Sequence, residues 1–124
     1  MNVGRFMSLR IMDLFNFYSV GCFIRHGLQP DNPSLFGIYF DLAARVSGIK
    51  SPRKWSSQAY LQMARVFLDA ACDERLAGHW RRQCLDQVVF AIQHATEKAS
   101  SRRLLTEALR MRRELADMVD IELR

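Results

Sequence analysis

Residues 42–57, LAARVSGIKSPRKWSS, carry the reading on which the fold turns. In a helix-turn-helix, a small residue packs where two helices cross, a Gly four positions later opens the turn, and an aliphatic residue follows it. Ala44, Gly48 and Ile49 meet those three requirements. The second half of the pattern fails, because Lys54 and Ser57 stand where apolar residues are expected and Pro52 falls where the recognition helix should begin. The simpler reading is a helix stop followed by a helix start. Gly48 suits the left-handed residue that closes a helix, and Ser51-Pro52 supplies a cap and a first helical position where proline's missing N–H costs nothing.

The same punctuation recurs in both directions from this stretch. Upstream, an apolar pattern over about 5–26 includes Ile11, Leu14, Phe15, Tyr18 and Cys22, widened by Met12, Phe17, Phe23 and Ile24, and Gly27 follows it. So wide an apolar face predicts burial on more than one side. Gln29-Pro30-Asp31-Asn32-Pro33 then reads as a turn, with Asn32 or Asp31 capping a helix over about 33–47 that turns Leu35, Ile38, Tyr39, Leu42 and Val46 inward. Downstream, a third helix over about 52–76 presents Trp55, Ala59, Met63, Val66, Phe67 and Ala70, and Gly78 marks its break. A fourth runs from His79 or Trp80 to about Lys98, with Cys84, Leu85, Val88, Val89 and Ile92 inward. Ser100 or Ser101 caps a fifth over about 101–122, where Leu104, Ala108, Met111, Leu115 and Met118 form a heptad seam of about two repeats. The predicted fold is all-α: a single-domain bundle of four to five helices spanning 1–124.

Composition agrees with a chain that builds a core. Of 124 residues 49% are apolar and 25% charged, a globular balance at a length typical of one domain. Eight Phe, six Met and two Trp are a heavy load for so short a chain, which predicts that some of them meet a partner. The net charge of +5 comes from 15 Arg and 3 Lys against 13 Asp/Glu and is spread along the chain. A dispersed excess permits nucleic-acid binding without requiring it. Three cysteines, Cys22, Cys72 and Cys84, do not make a disulfide framework, so a reducing cytoplasm is the expected setting. Arg10, Asp13 and Asn16 interrupt the apolar run of the first helix, so no membrane span is expected.

Motifs for chemistry are absent. The chain has no Gly-rich phosphate loop, no His-Glu-x-x-His and no nucleophile-elbow serine. Cys72, His79, Cys84 and His94 lie in one stretch, but gaps of 7, 5 and 10 residues lack the close pairs of structural zinc sites. Asp41 and Asp86 sit beside apolar faces, where a buried acid would pair with Arg45 or Arg65. No catalytic residue, metal or cofactor is expected.

Two functional readings follow. The first is a non-catalytic protein-interaction module, an adaptor, small chaperone or regulator, or subunit of a larger assembly, that meets a protein partner or a second copy. Phe15, Phe17, Tyr18 and Phe23 form one expected interface, and Met111, Leu115 and Met118 another. The alternative is a nucleic-acid-binding regulator or nucleoprotein subunit that uses Arg53, Lys54, Trp55, Arg81, Arg82, Arg102 and Arg103. Convergence of those basic residues on one surface separates the two.

Overall fold

The computed structural model describes the backbone of residues 3–47 and 52–122, and the side-chain environments of 11–47 and 57–119. Five helices follow in order, α1 (Val3–Arg25), α2 (Ser34–Ser47), α3 (Pro52–Cys72), α4 (Gly78–Glu97) and α5 (Arg102–Glu122). The fold is an all-helical bundle with no strand among the described residues. No helix among them is long and apolar enough to cross a membrane.

Helix α3 is the centre, packing against each of the other four. Its sequence explains the position. From Ser57 to Ala71 most side chains are buried, including Tyr60, Met63, Val66, Phe67 and Ala70, with Gln58, Arg65 and Asp69 half-buried and Gln62 exposed. Small Ala59, Ala64, Ala70 and Ala71 let neighbouring helices approach, while Met63 and Phe67 fill the space between them. Ser57 is wholly buried and donates its hydroxyl to the Ala95 carbonyl of α4 at 3.0 Å. The position that looked too polar for a core is therefore a core position with its hydroxyl satisfied.

A chain of aromatic contacts joins four helices. Phe17 of α1 lies 5.0 Å from Tyr39 of α2, Tyr39 meets Phe67 of α3 edge-on at 5.6 Å, and Phe36 stacks on Trp80 of α4 at 4.7 Å. Offset and edge-on geometries of this kind add about 0.5–1.5 kcal/mol beyond the area each ring buries. The aromatic surplus seen in the sequence is thus largely spent inside the bundle.

The stop signals behave as expected at Gly27 and at α5. Gly27 adopts φ 56°, Leu28 N–H donates to Phe23 O and Gly27 N–H to Ile24 O, the paired bonds of a left-handed helix end. Ser101 Oγ accepts from Leu104 N–H at the start of α5. Three local expectations are corrected. Helix α3 ends at Cys72 rather than 76, because Asp73 accepts from Arg75 N–H at 3.1 Å and its loop breaks the ladder before Gly78, which instead starts α4. Asn32 donates its side-chain amide to Gln29 Oε1, so it braces the turn rather than capping α2. Ile38 and Val89, expected inward, are about half exposed. Residues 48–51, with Gly48 and Ile49, lie outside the described residues.

The helix-turn-helix reading loses its support elsewhere. Ala44, which should pack at the helix crossing, is exposed. The helix that would read a groove is enclosed over its described side chains from Ser57 to Ala71. A recognition helix needs a free face along its length.

Candidate functional site

Three of the four residues of the first expected interface are exposed on α1. Phe15 is 65% exposed, Ile11 64% and Tyr18 55%, with Met12, Cys22 and Phe23 beside them. Phe17 is the correction: at 2% exposure it belongs to the core, because the aromatic ring of Tyr39 lies under that side of the helix. Helix geometry separates the two roles. Phe17, Gly21 and Ile24 fall on the inward side, while Ile11, Phe15, Tyr18 and Cys22 step by 4, 3 and 4 along the outward one. Among the exposed positions from 11 to 26 there is no Asp, Glu, Lys or Arg.

The described charges that border this face are engaged within the bundle. Asp13 pairs with Arg45 of α2 at 3.9 Å, and Arg25 donates to Asp73 at 2.9 Å. Asp73 also accepts from Arg75 Nε at 2.9 Å and Nη2 at 3.0 Å, and these guanidinium bonds hold its carboxyl well below the usual carboxylate range. Trp80, fully buried, donates Nε1–H to the Ile24 carbonyl at 3.0 Å, and Gly21 lies directly over Tyr39. The C-terminal half of α1 is thereby fixed to α2, the α3–α4 loop and α4, and the apolar face is presented on a rigid support.

The second expected interface is mostly interior. Met111 is buried, and Leu115 and Met118 are half-buried against the core. The seam of Leu104, Ala108 and Met111 faces α3 and α4, so it is a packing seam of the bundle. Sequence reasoning missed the seam beside it. Leu105, Leu109, Arg112, Ala116 and Val119 have the same 4–3–4–3 spacing one position on, and all are exposed. The heptad step itself was the available signal, and only burial tells which of the two registers faces inward.

The basic residues whose side chains are described do not converge. Arg81 is half-buried and donates Nε–H to the Ala71 carbonyl at 3.0 Å, closing the last turn of α3. Arg82 borders a hollow with Gly78, Leu85 and Met118, whereas Arg103 borders one with Gln58, Gln62 and Glu107. Positions 103 and 118 are separated by about 22 Å along α5, so Arg82 and the exposed Arg102–Arg103 pair sit toward opposite ends of the α4–α5 hairpin. The side chains of Arg53, Lys54 and Trp55 lie outside the described residues.

The remaining ionisable groups have structural partners or surroundings. Arg65 makes a bidentate pair with Glu114 at 2.9 and 3.0 Å, which raises the guanidinium and lowers the carboxyl. That pair ties α3 to α5. Burial pushes the Cys84 thiol up to about 12, His79 clasps Pro30 O and Asp31, and His94 stacks on Tyr60 at 4.8 Å. Cys72 contacts Met118. Among the described residues no three metal-capable side chains come together. Asp41 and Asp86, which the sequence places beside apolar faces, are exposed, so neither is a buried acid.

No protein-family model, curated protein or solved structure matches the chain.

Proposed function

We propose that this chain is a non-catalytic helical interaction protein, an adaptor, regulator or small assembly subunit, whose docking surface is the outward face of α1. What supports the reading is a single observation: an exposed helical face with Ile11, Phe15 and Tyr18 more than half in solvent and no Asp, Glu, Lys or Arg among the exposed positions from 11 to 26. Scattered exposed apolar residues are ordinary, but a contiguous stripe on a rigid helix is a contact surface awaiting cover. Pre-organisation adds to this, because a support fixed by Trp80, Asp73 and Tyr39 has little left to order on binding.

The described basic residues give the nucleic-acid alternative less support. They are divided between two ends of a hairpin, and Arg81 is engaged with a helix end. The test is a photoreactive amino acid placed at Phe15, with a control at the exposed Asp86 of α4. A covalent polypeptide adduct is expected from position 15 in cells expressing the chain, and none from position 86. The absence of any adduct at position 15 refutes the reading.

A further inference from the structure

Resting on that reading, we infer that the occupant of the α1 face is a second copy of this chain, docked through the same stripe about a two-fold axis. Such a contact apposes each surface to itself, so any net charge on the patch repels its own image. For a chain of net charge +5 this is a strong restriction. The outward side of α5, the other extended apolar seam, exposes Arg102, Arg103, Arg110, Arg112 and Arg113 on or beside it and would bring like charges together. Over the described positions 11–26 the α1 face exposes no Asp, Glu, Lys or Arg. Of the described charges that border it, Asp13 pairs with Arg45, and Arg25 shares the Asp73 carboxylate with Arg75.

Spacing and area agree with this occupant. Ile11, Phe15, Tyr18 and Cys22 step by 4, 3 and 4, the seam by which one helix packs along another. The exposed fractions of Ile11, Met12, Phe15, Tyr18 and Phe23 amount to roughly 600 Å² of side-chain surface. A standard interface buries about 800 Å² per partner, and neighbouring Asn16, Cys22 and His26 are exposed to supply the remainder. Homodimer interfaces are the apolar end of the range, as this face is. A membrane surface fits less well, because helices that lie in it carry Lys and Arg along the polar face, and of the described arginines beside this face Arg25 and Arg45 are paired with carboxylates.

The experiment is sedimentation of the full chain over a concentration series, with Phe15→Glu and Tyr18→Glu on α1 and Leu109→Glu on α5. The expected species is twice the 14.4 kDa chain mass, with dissociation at least about 100-fold easier in either α1 variant and unchanged in Leu109→Glu. Since Phe15, Tyr18 and Leu109 are all substantially exposed, circular dichroism should report the same helix content in all three variants. In the unmodified chain, alkylation of Cys22 should slow as the dimer forms, which reads the interface without any substitution. A chain that stays monomeric, a dimer indifferent to both α1 variants, or Cys22 alkylation independent of concentration overturns the inference. If position 15 cross-links only to a different protein, the second copy is excluded while the interaction surface stands. If it cross-links to nothing, both fall.

Discussion

Two glycines in helix interiors should respond to the same substitution with opposite signs. Replacing a helical Gly by Ala ordinarily stabilises by about 1 kcal/mol, through the backbone entropy removed from the unfolded chain. At Gly37 of α2 a new Cβ would meet nothing within 4 Å, so Gly37→Ala should realise most of that gain and raise Tm by about 3–5 °C. At Gly21 of α1 the Cβ would lie 2.9 Å from Tyr39 Oη and 3.3 Å from Cζ. Tyr39 is 1% exposed, held by Phe17 on one side and Phe67 on the other, and has nowhere to move. Overpacking of this kind costs about 1–3 kcal/mol, so the helical gain is outweighed and Gly21→Ala should lose about 1 kcal/mol net. Thermal and urea unfolding of both variants measures the difference. Repeating Gly21→Ala in a Tyr39→Phe background removes the nearest atom and should shrink the loss, a coupling the double-mutant cycle isolates. Equal stabilisation by Gly21→Ala and Gly37→Ala, or no coupling to Tyr39, would refute the close approach of α1 to α2.

Asp73 ties α1 to the α3–α4 loop as a carboxylate, with its folded pKa lowered by Arg75 and Arg25. Its contribution is therefore complete above the unfolded value near 3.9 and fades as pH falls below that, so the Tm gap between the native chain and Asp73→Asn should be full at pH 6 and close on acidification. A gap that stays constant down to pH 2 would show that the carboxylate charge is irrelevant. Trp80→Phe should cost about 2 kcal/mol in urea unfolding, since it strands the Ile24 carbonyl and removes one ring from the stack on Phe36. A loss under about 0.5 kcal/mol would mean that the indole is not the anchor of the α1 C-terminus.

Much of the bundle was legible because its signals are local. The Gly27 stop, the Ser101 cap and the start of α3 at Pro52 depend on backbone conformation within a few residues, and residue types report that directly. The end of α3 was misplaced because its signal is a side-chain bond of Asp73 to Arg75 and a cross-helix bond to Arg25 forty-eight residues away. Of the candidate site, the α1 face was legible as an excess of large apolar residues. Its division was not: Phe15 and Phe17 are two positions apart with the same side chain, and one is surface while the other is core.

By itself, then, the sequence determined that helices form, roughly where they stop, and that they carry more apolar surface than a short chain needs. These follow from propensity, capping and period, which act over a few residues. The tertiary structure decided which apolar stripe turns inward. It placed Tyr39 beneath Phe17 and Gly21, set Leu104 rather than Leu105 against the core, buried Trp80, and sent Arg82 and Arg103 to different ends of a hairpin. A helix with apolar residues on two sides satisfies its own backbone equally well in either orientation. Only the shape of its neighbours separates the face that makes the core from the face that α1 leaves open.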